Sequence, residues 1–201
     1  MVHSILASMS PIGSLLHESL FTALGSLPAG GRALTGRFIF QSRYRLATDP
    51  WDYRTRLDEH RRIQSIVAVA ARHSRPTKIL ELGCAEGELT RALAREFPQA
   101  STVGVDISAT AIERAKAQDR YGTAFHVADA RTWNHDRCET VDLIVVCDLL
   151  YYLGSTRQQR RFGAQLRSWL RPGGVLVLGH GADRADDLHE SCGSSGGLIP
   201  L

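Results

Sequence analysis

The stretch Lys78–Arg91, K-I-L-E-L-G-C-A-E-G-E-L-T-R, constrains the fold more than any other part of the chain. Ile79–Leu82 is a short apolar run interrupted by Glu81. Two glycines follow at Gly83 and Gly87, and then Leu89, Leu93 and Phe97 recur along one side of a helix. The pattern predicts a buried strand, a tight turn and a helix. Glycine suits such a turn because it adopts backbone angles closed to other residues and lets a ligand approach bare backbone. A helix starting near Gly87–Glu88 points its unbonded N–H groups at that ligand.

A second feature sharpens this reading. Asp106 lies 106 − 83 = 23 residues beyond the first glycine, at the end of the apolar run Thr102–Val105. A carboxylate there is placed to accept hydrogen bonds from both hydroxyls of a ribose. The dinucleotide fingerprint G-x-G-x-x-G is absent, and the loop Gly-Cys-Ala-Glu-Gly carries Glu86. A pyrophosphate would be repelled by Glu86 and by Glu81 below it. A cationic nucleoside without phosphate would not be, and S-adenosylmethionine fits that description.

These motifs resemble those of the class I S-adenosylmethionine-dependent methyltransferases. Glu81, Gly83 and Gly87 match the first motif of that family, E-x-G-x-x-x-G, and Asp106 matches its ribose-binding acid. Asp129, after the third strand, matches the residue facing the adenine, and Leu170-Arg-Pro-Gly-Gly174 is a further family phrase. The resemblance runs from about Thr77 to Gly179. It implies a Rossmann-like, doubly wound, mostly parallel α/β sheet and a cofactor site that includes Cys84, Ile107, Ala130 and Cys147 beside the motif residues. S-adenosylhomocysteine would be the product.

Composition sets the outer bounds. A chain of 201 residues supports one domain with a sizeable core. Net charge is +3, too small to argue for nucleic acid, but it is uneven. Residues 1–75 hold ten arginines and five acids, the remainder fourteen basic and sixteen acidic residues. The basic third reads as a solvated face or as a surface receiving an anionic or polar substrate. Cys84, Cys138, Cys147 and Cys192 show no metal spacing and no C-x-x-C, so no metal is expected and a reducing cytoplasm is the default compartment. No run reaches the roughly 18 apolar residues of a membrane span. The N-terminus has no basic leader, and Pro11 and Gly13 interrupt its apolar stretch, which argues against a signal peptide.

Residues 1–48 read as an arm or lid. Leu15, Leu16, Leu20 and Leu24 line one face of a short helix that Pro28-Ala-Gly-Gly31 is expected to break, and Gly36–Tyr44 mixes apolar and basic residues. Asp49-Pro-Trp-Asp-Tyr53 reads as a turn, because proline disfavours helix at the preceding residue. A helix is predicted from about Thr55 to His73, with Ile63, Ile66, Val67 and Ala70 on its apolar side. Trp51 either packs on the domain or covers the cofactor pocket. Asp-Pro-Trp followed by Tyr-Arg-Thr and a basic helix resembles the nodulation protein S (NodS) family of small N-methyltransferases, in which this segment helps close the site. That family pattern has an aromatic residue just before Glu59, where this chain has Asp58.

Further along, Ser108 is placed to cap a second helix, and Ala124–Val127 reads as the third strand. Val141–Val146 is the most hydrophobic run, as expected of a central strand buried on both faces. It leads into Cys147-Asp148-Leu-Leu-Tyr151-Tyr152-Leu153, a second similarity to NodS-like proteins. Ligands in such sheets sit beyond the carboxyl ends of the strands, so Cys147 and Asp148 belong near the transferred methyl and the tyrosines near the acceptor. Asp148 is the candidate proton acceptor, and Tyr151 the candidate for holding the acceptor. A helix is predicted over Arg157–Leu170, stopped by Pro172-Gly-Gly174, then a fifth strand over Val175–Leu178, with His180 as a weaker candidate at the same edge. The polar segment 181–201 shows no antiparallel strand pair. The sheet is expected to stop at five strands, or to be completed by the N-terminal segment or a second subunit.

The resulting expectation is a methyltransferase with a domain over 49–180, acting on a small molecule. If the NodS likeness extends that far, the acceptor is the free amino group of a chitooligosaccharide glucosamine. The alternatives are another small amine or hydroxyl, or a cofactor-binding module without turnover. A nicotinamide oxidoreductase is disfavoured by the missing third glycine. A nucleic-acid methyltransferase is disfavoured by the absence of an aromatic–proline tetrapeptide after the fourth strand.

Overall fold

The computed structural model describes residues 2–7, 29–133, 140–181 and 198–200. Its seven strands are β1 (Val2–Ala7), β2 (Lys78–Leu82), β3 (Ser101–Asp106), β4 (Ala124–Val127), β5 (Val141–Cys147), β6 (Leu170–Gly181) and β7 (Leu198–Pro200). They form one sheet in the order β4-β3-β2-β5-β6-β1-β7, and every pairing between them is parallel. The helices are α1 (Ala29–Leu46), α2 (Leu57–His73), α3 (Glu88–Glu96), α4 (Ala109–Gln118) and α5 (Thr156–Trp169), with a 3₁₀ turn at Leu150–Leu153.

Side-chain alternation explains the doubly wound form. Leu80, Leu82, Ile144, Val146, Leu176 and Leu178 point to one face and pack with Phe162, Leu166 and Trp169 of α5. Their neighbours Ile79, Leu143, Val145, Val175 and Val177 point to the other, against Ile66 and Ala70 of α2 and Leu89 and Leu93 of α3. Strands buried on both faces carry apolar residues continuously, which is what the sequence shows over Val141–Val146. The predicted mostly parallel α/β class is the observed one.

Local signals placed the elements well. Ser108 caps α4 by accepting from the Ala111 N–H at 3.2 Å. Ser155 and Gln158 form a capping box at the start of α5, which ends at Trp169. The expected fifth strand lies inside a longer β6. Val141 faces Leu170 but Leu143 faces Val175, so Arg171–Gly174 bulge out of register, where proline costs no ladder bond.

Of the alternatives for the sheet, completion by the N-terminal segment is the observed one: the backbone of β1 pairs along β6 from Val2–Leu176 to Ala7–Gly181 and carries β7 on its far side. The expected break of the Leu15–Leu24 helix falls partly outside the described residues, but the glycines after Pro28 are helical, since α1 starts at Ala29 and runs through Gly30 and Gly31. Proline bars a helix from arriving but not from starting just after it. Each glycine costs about 1 kcal/mol, which tertiary contacts further along α1 offset. Among these, Tyr44 is 3% exposed and packs on Ala85 and Ala111. The predicted helix through Leu15–Leu24 and most of the tail after Gly181 lie outside the described residues.

Candidate functional site

The carboxyl ends of β2, β3, β5 and β6 bring Gly83, Asp106, Cys147 and Asp148, and Gly179 to one edge of the sheet. At the end of β2 the chain turns sharply, with Gly83 at φ +80, Ala85 at +50 and Gly87 at +82. The N–H groups of Gly83 and Cys84 both bond the Val105 carbonyl, at 2.8 and 3.0 Å, so the loop folds over the end of β3. A Cβ at Gly87 would lie 2.8 Å from Phe125 Cζ, which is why no other residue fits there. At Gly83 a Cβ would make ordinary van der Waals contact with Leu149 Cβ at 3.5 Å and with the Cys147 carbonyl at 3.8 Å, so there it is the left-handed backbone that calls for glycine.

Asp106 is half-buried at the end of β3. One carboxylate oxygen accepts from the Ala85 N–H at 3.0 Å and the other from Ser108 N–H at 2.8 Å. Burial pushes its pKa up, against the pull of these backbone bonds. Each oxygen keeps a second lone pair, so a carboxylate braced in this way can accept one hydroxyl on each side. The loop's bare backbone, the start of α3 and this braced acid fit a nucleoside cofactor. Ile107 is half-buried on the turn that follows.

Asp129 and Ala130 follow β4. Asp129 is gripped by the Arg131 side chain and by the Arg131 N–H at 3.0 Å; burial raises its pKa, but these bonds outweigh that and hold it low. Ala130 belongs to the core. Glu81 is 3% exposed behind the loop and accepts from Thr90 Oγ1; burial raises its pKa to about 7. Cys84 turns its side chain into a small cluster with Ile112, Ala115 and Phe125 and leaves only its backbone in the loop. Cys147 packs its sulfur over Gly179, where a Cβ would come within 2.8 Å, and burial pushes its thiol up. Cys84 and Cys147 carry unbridged thiols.

Glu86, read from the sequence as a charge that would repel a pyrophosphate, is buried and paired. It is 3% exposed and accepts from Arg114 at 2.7 Å, pairs with Arg54 at 3.1 Å and accepts from the Asp49 N–H at 3.3 Å. It anchors a roof in which Trp51, read from the sequence as packing on the domain or covering the pocket, is joined by residues of α1. Tyr44 of α1 and the turn residues Trp51 and Tyr53 pack over Ala85, and Trp51 Nε1 donates to the Tyr44 hydroxyl at 3.0 Å. Burial, and then the neighbouring Asp106 charge, push the Tyr44 phenol well above its usual value. Gln41 bonds Thr110 and Ser108 at the start of α4, at 2.8 and 3.0 Å. The signal for this roof was present in Phe40, Gln41, Arg43 and Tyr44, which share one stretch of helix.

On the acceptor side, Arg62 of α2 is a second residue the sequence reading missed. It pairs with Asp148, and its Nε and Nη2 reach Glu59 at 2.8 and 2.7 Å. Asp148, predicted as a proton acceptor, is therefore held in an ion pair, on a residue with φ +48. The Tyr53 ring lies 5.7 Å from the Arg62 guanidinium. Phe40 meets Tyr152 edge-on at 4.8 Å and Trp51 at 6.3 Å, and Arg43 stacks 4.3 Å over Trp51. The Tyr151 side chain lies outside the described residues, and its backbone sits in the 3₁₀ turn after β5. His180 is 1% exposed within β6, inside the sheet rather than on a solvated tail.

Comparison with known proteins agrees with this geometry. The family described as "Methyltransferase domain" matches residues 79–174. The crystal structure of N-methyltransferase NodS from Bradyrhizobium japonicum WM9, in complex with S-adenosylhomocysteine, is 30% identical with a TM-score of 0.60. The alignment covers 69% of this chain and 71% of that one. The chain belongs to the class I S-adenosylmethionine-dependent methyltransferases. Within that class it is similar to nodulation protein S of Rhizobium tropici, 28% identical over 79% of this chain and 66% of that protein. It is also similar to the trans-aconitate 2-methyltransferase of Methylobacterium radiotolerans, 35% identical over 57% of this chain and 42% of that protein. The chain spans less than two thirds of the length of these two curated relatives.

Proposed function

We propose that this protein transfers a methyl group from S-adenosylmethionine to a small-molecule amine, the best candidate being the free amino group of a chitooligosaccharide glucosamine. The observation that carries the reading is the braced Asp106 carboxylate beside the open backbone of Gly83, roofed by Tyr44 and Trp51. Asp106 would accept both ribose hydroxyls, and the residues around Asp129 would border the base. The cofactor supplies a methyl already activated on a sulfonium. The protein's work is then to align the acceptor and exclude water, and such positioning is worth roughly 7–11 kcal/mol. The aromatic roof supplies the exclusion. The NodS likeness supports nitrogen as the acceptor atom, while the trans-aconitate 2-methyltransferase likeness motivates a second reading, transfer to a carboxylate oxygen.

Among the described residues no helix is long and apolar enough to cross a membrane. With the unbridged Cys84 and Cys147, this supports the cytoplasm as the place of action. We also read residues 49–180 as the cofactor-binding unit, with α1 before it as part of its lid.

Calorimetric titration with S-adenosylhomocysteine tests the reading, on the native chain and on Asp106→Ala. Binding by the native protein that the folded variant lacks supports it. No binding by the folded native protein overturns it.

A further inference from the structure

We propose that Arg62, braced by Glu59, is a positioning residue that fixes the Asp148 carboxylate at the methyl-receiving edge and so selects an amine over a carboxylate as acceptor. The proposal rests on the methyltransferase reading above and deepens it. Three observations carry it. Arg62 comes from α2, which packs across the sheet, and its side chain is 9% exposed. Its guanidinium is committed to two carboxylates, by Nε and Nη2 to Glu59 and by Nη1 to Asp148, so it is not left as a receptor for an anionic acceptor. Asp148 follows Cys147 directly and its N–H is tied to the Gly179 carbonyl at 2.9 Å, which places the carboxylate where β5 and β6 open.

An arginine that grips a carboxylate fixes its orientation. Asp148 held in this way presents its remaining lone pairs as hydrogen-bond acceptors. The groups that surround it are Glu59, Arg62, Tyr53, Cys147 and Tyr152. An amine offers N–H groups to that carboxylate, whereas a carboxylate acceptor meets a like charge. Asp148 then orients the nitrogen instead of deprotonating it. The amine enters neutral, its ammonium proton having passed to solvent. Its lone pair forms the new nitrogen–carbon bond while the carbon–sulfur bond breaks with its electron pair left on sulfur, and the product leaves as a methylammonium.

The test uses the full chain with Arg62→Met, Arg62→Lys and Glu59→Gln. Binding of S-adenosylhomocysteine is measured first. Binding of mono-de-N-acetylated chitotetraose, ethanolamine and trans-aconitate to the loaded protein follows, with methyl transfer to each. The native chain is expected to bind an amine and not trans-aconitate. In Arg62→Met the amine Kd and KM should rise about tenfold or more, with Arg62→Lys recovering part of the loss, while S-adenosylhomocysteine affinity stays within about threefold. Amine binding unchanged in a folded Arg62→Met overturns the proposal. A parallel loss of S-adenosylhomocysteine affinity overturns it too, since that marks a merely structural role. So does methyl transfer to trans-aconitate, or a loaded native chain that binds none of the amines. Should Arg62→Met not fold, Arg62→Lys and Glu59→Gln carry the same comparison. A folded native chain that fails to bind S-adenosylhomocysteine instead sinks the underlying reading.

Discussion

The guanidinium of Arg114 reaches from α4 to the buried carboxylate of Glu86 at 2.7 Å, while also donating to the Tyr44 and Ala47 carbonyls at 2.7 and 2.9 Å. One side chain thus ties the cofactor loop, α4 and the end of α1 together. Arg114→Met should leave the Glu86 carboxylate with Arg54 as its remaining guanidinium partner. Breaking a buried pair costs about 3–5 kcal/mol, and the surviving Arg54 contact should reduce this to about 2. Urea denaturation measures the loss, and a faster S-adenosylhomocysteine off-rate should accompany it. Adding Glu86→Gln should restore part of the stability, because the two residues share one interaction.

The two loop glycines should respond differently to alanine. Gly87→Ala combines a left-handed backbone, about 1–2 kcal/mol, with a clash on the buried Phe125 ring, about 1–3 kcal/mol. Gly83→Ala carries the backbone cost alone, since its nearest neighbour stands at 3.5 Å. Thermal unfolding should therefore rank Gly87→Ala as the less stable. Gly83→Ala should also weaken S-adenosylhomocysteine binding, because its backbone strain falls within the loop itself. The reverse stability ranking would show that the Phe125 ring yields.

Asp142, at the opposite end of β5, accepts from the Thr77 N–H at 2.6 Å, Thr77 Oγ1 at 2.7 Å and Lys78 N–H at 2.9 Å, and pairs with Arg171. Burial raises its pKa, but these bonds prevail and hold it at about 2, below the ordinary 3.8. A depressed carboxyl contributes stability that is present above 3.8 and is lost as pH falls through about 2. Asp142→Asn should thus be less stable than the native protein at pH 6, with the gap narrowing toward pH 2. Denaturation midpoints at both ends measure it.

Glu81 should behave in the opposite sense. Burial lifts its pKa from 4.5 to about 7, so the folded state holds the proton more tightly than the unfolded one. That contribution is fully present below 4.5 and fades as pH rises through about 7. Glu81→Gln, which mimics the protonated form, should gain stability relative to the native chain between those values. A flat difference across that window would mean that Glu81 titrates normally.

Local chemistry made much of this protein readable. The Gly83–Gly87 turn, the Ser108 cap and the double-sided apolar runs at Ile79–Leu82 and Val141–Val146 each depend on residues close in sequence. Periodicity and turn preference report such features directly. The bulged start of β6 and the course of α1 through Gly30 and Gly31 were not readable in the same way, because register and packing overrode local preference there.

The sequence by itself determined that this chain builds a parallel α/β sheet with a glycine loop and an acid 23 residues beyond it, since these follow from spacing alone. The tertiary structure decided which charges meet. Glu86 found Arg114, 28 residues away, and Asp148 found Arg62, 86 residues away. These pairings make Glu86 an anchor for the roof and hold Asp148 in an ion pair. The physical reason is that a carboxylate's behaviour depends on burial and on the nearest opposite charge, and neither is a property of its neighbours in the chain.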